Sequence, residues 1–270
     1  MLGIFFEGFR TKISIQSGNV YLPTQVAILY ESRTIMVGFN FGISWIAYFF
    51  SALAAAAYCY RYKKLRVVVV CGFTCFMIFN ICMATTQLRS GKAIWAYPIF
   101  FGLGLALCLS ALVSFAQFSA PPDIIIIASA LVSTFRGVGA TIGTATFAAL
   151  FEAKFTKLMP ERIAAAVIPL GLPESSLLPL IGDLVGGETE QLATVKGATP
   201  EIIHAAVKGL KIAYIDSFRF VWIMAAVLSA VAGAVSLLFK DYKEDFNLKI
   251  DAPAESEEAL YGDIVHKEKV

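Results

Sequence analysis

Long runs of residues without a charged side chain constrain this sequence more than any other feature. Four such runs contain 20 to 25 residues each, at positions 36–60, 67–86, 94–118 and 220–239. A fifth run, 124–151, has 28 residues and a single charge, Arg136. An α-helix needs about 20 apolar residues to cross the hydrocarbon core of a bilayer. The sequence therefore predicts five membrane-spanning helices.

The composition agrees with an integral membrane protein. Of the 270 residues, 58% are hydrophobic and 16% are charged, whereas soluble domains average about 45–50% and about 25%. Strands of a membrane barrel would alternate apolar and polar residues, but these runs are apolar throughout. We therefore predict an all-α, polytopic membrane protein embedded in the lipid bilayer. The net charge of +2 offers no basic excess for binding phosphates, so no nucleic-acid partner is expected.

Charged and proline-containing stretches divide the chain into five parts. Residues 1–35 are predicted to contain a partial sixth membrane helix, because the apolar run 20–30 is too short to span. Residues 36–151 form four membrane helices, and residues 152–219 are predicted to be a long extracellular loop. Within that loop, Thr199-Pro200-Glu201 is a typical helix start and predicts an amphipathic helix. Residues 220–239 form the last membrane helix, and residues 240–270 are a tail.

Basic residues in the short loops predict the orientation. Seven lie on one side, four in the loop 61–66 and three at positions 240, 243 and 249 just after the last span, and three lie on the opposite side. Cytoplasmic loops carry an excess of lysine and arginine. The loop 61–66 and the tail are therefore predicted to be cytoplasmic.

Arg136 is the strongest candidate for a functional residue. A charged side chain at the centre of a bilayer costs about 3 kcal/mol or more, and such residues usually face a cavity or a partner. The alternative is a structural arginine that contacts polar groups inside the helix bundle. Three uncharged polar residues of the apolar runs are further candidates for lining a substrate pathway: Gln117, Asn40 and Asn80.

Small residues predict where helices pack closely. Gly139 and Gly143 have the GxxxG spacing, and Gly137 lies beside them. Small residues four apart allow two helix backbones to approach each other in lipid. The contact is either static or a sliding surface. Tryptophans near the span ends are predicted to lie at the membrane interfaces: Trp45, Trp95 and Trp222.

Three segments resemble one family of transporters. The segment 21–30, YLPTQVAILY, looks like the end of a spanning helix in fungal drug-efflux members of the major facilitator superfamily. The segments PPDIIIIAS at 121–129 and RGVGATIG at 136–143 resemble their penultimate helix. The segment AYIDSFRFVW at 213–222 resembles the approach to their last helix. Together they are similar to the fungal trichothecene efflux pump family, which includes siderophore-transporter-like members.

This resemblance implies a fold and a function. The chain would correspond to the C-terminal half of a major facilitator fold, and substrates would pass between it and an N-terminal half. The full-length relative would export small organic molecules such as toxins, drugs or siderophores across the plasma membrane, coupled to protons. An alternative is a non-transporting membrane scaffold or a regulatory fragment from a truncated gene.

The sequence lacks the common signatures of enzymes. It has no phosphate-binding Walker loop, no GxSxG nucleophile motif and no cluster of metal-ligand residues. We therefore predict that the protein is not an enzyme, and we expect neither a cofactor nor a metal site.

Overall fold

The chain is built from α-helices joined by mostly short connections. The computed structural model describes residues 2–31, 33–118, 120, 125–186 and 197–239. No strand occurs among them, which confirms the all-α prediction. The α-helices of this part of the chain are α1 (Leu2–Leu29), α2 (Thr34–Tyr62), α3 (Leu65–Ala84), α4 (Tyr97–Phe118), α5 (Ile125–Val167), α6 (Leu177–Gly186) and α7 (Pro200–Ser236).

Five helical segments are long and apolar enough to cross a membrane. They are α2, α3, α4 with the short 3-10 turn Ala93–Trp95 before it, α5 with the turn Ile168–Leu170 after it, and α7. Each of the five predicted spans overlaps one of them, to within three residues at its ends, so the prediction of a polytopic membrane protein is confirmed. The predicted partial sixth helix is the end of α1, whose 28 residues give a length of about 42 Å.

α1 is buried in the bundle and packs mainly on α5 and α7. Hydrogen bonds to side chains of neighbouring helices accommodate its polar residues there. The hydroxyl of Ser229 on α7 lies 3.1 Å from the hydroxyl of Ser14 on α1. Asn80 on α3 donates a hydrogen bond of 3.3 Å to the same Ser229 hydroxyl. A second chain of hydrogen bonds runs from Trp222 through Gln25 to Thr86, with distances of 2.6 and 3.0 Å. Buried polar groups need such partners, so these contacts fix how α1 sits against α3 and α7.

Trp222 is buried inside the helix bundle rather than exposed to lipid headgroups. Its side chain is 0% exposed and meets the ring of Phe79 edge-on, with ring centroids 5.6 Å apart. The side chain therefore packs in the protein core, whatever the depth of its helix position, and does not present its ring to the membrane interface as expected. The buried Gln25 carbonyl provides the hydrogen-bond acceptor that an indole N–H needs away from water.

We expect Trp222→Phe to lower the free energy of unfolding by about 1–3 kcal/mol, because it leaves the buried Gln25 carbonyl without its donor. Trp45→Phe is the matched control, since Trp45 is 51% exposed. The midpoint of thermal unfolding in detergent, followed by circular dichroism, measures both. Equal stability of the two variants would contradict a structural role for the Trp222–Gln25 hydrogen bond.

α5 and α7 are too long to lie entirely within a bilayer. With 43 and 37 residues they extend about 65 and about 55 Å, whereas the hydrocarbon core is about 30 Å thick. The end of α5 and the start of α7 pack together with α6 around a separate apolar cluster that includes Ile163, Leu180 and Ile202. The segment expected to be a loop with one amphipathic helix is therefore largely helical where the structure describes it.

The extension of α7 begins where the sequence signals a helix start. The side chain of Thr199 accepts a hydrogen bond of 3.3 Å from the backbone N–H of Ile202, and Pro200 occupies the first turn. Both features stabilise a helix N-terminus. The extension is also held by an ion pair of 2.7 Å between Arg162 on α5 and Asp216 on α7.

Candidate functional site

Two cationic side chains approach each other where α1, α2 and α5 meet. Arg136 of α5 is close enough to Lys12 of α1 for electrostatic repulsion between them. Tyr48 of α2 also lies near the guanidinium of Arg136. We call Lys12, Tyr48 and Arg136 the cationic cluster. All three side chains are partly buried.

Polar atoms on α1 and α5 are buried without a hydrogen-bond partner among the described residues. They include the Nε of Arg136, the carbonyl oxygen of Asn19 and the hydroxyl of Ser129. Asn19 and Ser129 are each seven residues, or about two helical turns, from Lys12 and Arg136 respectively, and therefore lie on the same helix faces. An unsatisfied buried polar group costs about 1–3 kcal/mol. This polar stripe is suited to contact a polar molecule or another polar surface.

Among the five spanning segments, those of α2 and α5 bury the smallest share of residues in their most apolar 18-residue stretch, 17% each. Large apolar side chains along both helices are exposed, among them Phe39, Phe49 and Phe50 on α2 and Ile126 and Ile127 on α5. Isolated exposed apolar residues are ordinary on a soluble protein, but continuous faces like these need lipid or protein to cover them. The cationic cluster is contributed in part by these same two helices.

Glycines on α5 set the distance between α5 and α1. A Cβ atom at Gly139 would press against the backbone carbonyl of Phe9, and one at Gly143 would lie 3.2 Å from the Cα of Ile13. Gly137 faces open space, with no atom within 4 Å of such a Cβ. Gly139 and Gly143 therefore allow the close contact that brings Arg136 near α1, whereas Gly137 has no part in it.

The other predicted pathway residues lie apart from the cationic cluster or are engaged elsewhere. The side chain of Asn40 is 1% exposed and donates a hydrogen bond of 3.1 Å to the carbonyl of Ile94. Asn80 is bonded to Ser229, as described above. Gln117 is exposed in the last turn of α4, and its side chain makes no hydrogen bond to a described residue. The structure therefore does not bring Arg136, Gln117, Asn40 and Asn80 together.

The sequence analysis missed Lys12, Tyr48, Asn19 and Ser129. Lys12 and Asn19 share one face of α1, and that spacing was the available signal. Charged residues interrupt the first half of α1, so the segment does not resemble a membrane helix in the sequence and this spacing does not stand out. Tyr48 and Ser129 lie in strongly apolar runs, where only the packing of the helices distinguishes them from their neighbours.

Comparison with known proteins identifies the family. The model of the fungal trichothecene efflux pump family matches residues 33–254, which includes α2 to α7. The chain belongs to this family. A search of curated proteins gave no match.

Membership of the fungal trichothecene efflux pump family explains several features of the structure. An efflux pump exports small molecules across a membrane, and its helices must pass through the bilayer more than once. The five membrane-length segments meet that requirement, and the chain is a multi-pass membrane transporter. The matched residues include Tyr48 and Arg136, whereas Lys12 precedes the match.

Proposed function

We propose that the cationic cluster lines the pathway through which this transporter exports its substrate. The observation that carries the proposal is Arg136, whose Nε is buried and without a hydrogen-bond partner in the described chain. Among the described side chains its charged neighbour is a second cation, Lys12, and no described carboxylate forms an ion pair with it. Charged groups within membrane helices are expensive and usually serve ion or substrate pathways.

A second helical half completes this pathway in our proposal. Major facilitator proteins bind substrate near the bilayer midplane between two repeated halves, which rock against each other. The chain corresponds to the C-terminal half, and the exposed apolar faces of α2 and α5 are the surfaces available to an N-terminal half. The alternative, a scaffold that does not transport, gives no reason for unpartnered polar atoms beside these faces.

The substrates that we propose are small organic molecules such as toxins, drugs or siderophores. The family description, a trichothecene efflux pump, supports a toxin in particular. We propose that export occurs at the plasma membrane and is coupled to protons, in line with the resemblance to major facilitator proteins. Proton coupling rests on that resemblance alone, so it needs its own experiment.

An efflux assay in yeast tests the proposed function. The chain is co-expressed with the N-terminal half of a family member in a strain that lacks its own drug-efflux pumps. We expect lower accumulation of a trichothecene than with either half alone, and we expect a protonophore to remove the difference. A well-folded complex in the plasma membrane that leaves accumulation unchanged would favour the scaffold. Export that persists with the protonophore would contradict proton coupling alone.

We also propose that the loop around Lys63 is cytoplasmic and that the segment around Glu188, which lies outside the described residues, is extracellular, because basic residues are concentrated beside Lys63. In a variant without the five native cysteines, Glu188→Cys should react with a membrane-impermeant maleimide on intact cells. Lys64→Cys, the control, should react only after permeabilisation. The reverse pattern would invert the proposed orientation.

A further inference from the structure

A groove opens on the outer surface of the bundle between the end of α3 and the middle of α7. Two adjoining cavities of about 500 and about 300 Å³ form it, and both are lined by Gln87 and Arg219. We call it the α3–α7 groove. Its larger part is apolar, with walls that include Ile81, Ala84, Ile223, Ala226 and Val227. Its smaller part carries charged residues, Arg89 and Asp216, in addition to Arg219.

The charged end of the groove has an excess of positive charge. Asp216 lies 2.7 Å from a guanidinium nitrogen of Arg162 and 3.4 Å from one of Arg219. One carboxylate is thus shared by two guanidinium groups, and Arg162 has the closer contact. Arg89 is exposed at the rim and makes no ion pair with a described residue. An anion bound here would therefore meet two arginines, Arg89 and Arg219, whose charges are not fully balanced.

The structure holds both arginines in place. The Nε of Arg219 donates a hydrogen bond of 3.2 Å to the carbonyl of Ala84 at the end of α3. The loop that carries Arg89 is tied to the bundle because the hydroxyl of Tyr30 donates to the carbonyl of Gln87 over 2.7 Å. Burial raises the pKa of the Tyr30 hydroxyl, which in any tyrosine is protonated at neutral pH. A site whose groups are already ordered loses less entropy on binding.

The position of the groove along the helices matches the layers of a bilayer. Arg219 immediately precedes the apolar run 220–239, so it lies at the boundary where lipid phosphates are found. Ile223 and Val227 lie one and two turns further along α7, about 6 and about 12 Å deeper. Both side chains remain exposed, at 47% and 57%. The apolar part of the groove is therefore open at the depth of acyl chains.

We propose that the α3–α7 groove binds one membrane phospholipid. Arg219 and Arg89 hold its phosphate, and one acyl chain lies along Ile81, Ile223 and Val227. Arginine suits a phosphate because its planar guanidinium donates two parallel hydrogen bonds. An uncharged apolar molecule would fill the deep part of the groove but would gain nothing from the two arginines. The groove shares no residue with the cationic cluster, so this inference does not depend on the proposed function.

Native mass spectrometry of the whole chain, extracted from membranes in mild detergent, tests the proposal. We expect one phospholipid to remain bound per chain, and we expect Arg89→Ala to weaken its binding about tenfold through the loss of a charge-assisted hydrogen bond. Arg219→Lys should weaken it as well, because an ammonium does not reproduce the guanidinium fork. Lys92→Ala is the matched control: it removes a basic residue from the same loop, but Lys92 does not line the groove.

A second set of variants tests the acyl-chain part. Ile223→Trp should block the deep groove and also reduce lipid retention, and Val227→Trp replaces it if the first variant does not fold. Equal lipid retention by Arg89→Ala and Lys92→Ala would overturn the proposal. Retention lost only in the tryptophan variants would indicate an apolar ligand without a phosphate and would also overturn it. So would displacement of the lipid by millimolar inorganic phosphate, because the anion alone would then suffice.

Discussion

Leucine in place of Gly139 is expected to prevent α1 from packing on α5 and to remove most of the folded protein. The new Cβ would press against the carbonyl of Phe9 and lie 3.0 Å from its Cα. Backbone atoms cannot turn aside as a side chain can, so the whole helix would have to shift. Overpacking of this kind costs about 1–3 kcal/mol or more. Folded yield in fluorescence-detected size-exclusion chromatography and the thermal unfolding midpoint measure the effect.

Gly137→Leu is the matched control for this prediction. It makes the same substitution two residues away and changes helix propensity equally, but the new side chain enters open space. We expect its folded yield to stay close to that of the unchanged protein. Gly143→Leu should be intermediate, since the nearest backbone atom, the Cα of Ile13, is 3.2 Å from the new Cβ. Equal losses at positions 137 and 139 would show that this helix contact does not control stability.

The second large effect concerns transport and rests on the proposed function. Arg136→Leu, in the chain co-expressed with an N-terminal half, is expected to abolish efflux while membrane insertion and folded yield stay normal. The guanidinium faces a second cation, Lys12, and no carboxylate among the described side chains pairs with it. Its removal therefore strands no described buried anion, and stability should not fall as it does when a buried ion pair is broken.

Two further variants show whether efflux depends on the guanidinium geometry of Arg136 and whether a nearby polar-to-apolar change has the same effect. Arg136→Lys should restore efflux only partly if the contact to substrate is bidentate, because the ammonium is a point charge. Thr134→Leu makes a comparable polar-to-apolar change one half-turn away, where the hydroxyl bonds only to the carbonyl of Ala130 in its own helix. We expect normal efflux from Thr134→Leu. Normal efflux from Arg136→Leu would exclude Arg136 from the pathway.

The spanning helices could be predicted because lipid imposes a local condition. Each membrane-spanning helix must form its backbone hydrogen bonds within itself and must contain about 20 apolar residues. A single stretch of sequence can meet both conditions without other parts of the chain. The runs 36–60, 67–86, 94–118 and 220–239 therefore coincide, to within three residues at their ends, with all or part of α2, α3, α4 and α7. The resemblance to the efflux pump family was also carried by contiguous segments.

α1 was harder to recognise because its stability comes from partners far away in the sequence. Ser14 and Gln25 lower its hydropathy, yet both side chains are buried and bonded to Ser229 and Trp222. The free-energy cost of burying these two polar side chains is offset only when α7 supplies their hydrogen-bond partners. The Trp222–Gln25 hydrogen bond also holds the Trp222 side chain inside the helix bundle, which its position near the end of a span did not indicate.

The sequence alone determined which segments enter the membrane, because hydropathy and length are properties of each segment. Only the tertiary structure decided which side chains meet. Lys12 and Arg136 are separated by more than a hundred residues, and they become neighbours because Gly139 and Gly143 allow α1 and α5 to approach closely. Likewise, α5 and α7 continue beyond the bilayer because Arg162 pairs with Asp216 and α6 covers their apolar faces. Contacts between distant helices depend on packing and pairing, and no single segment specifies them.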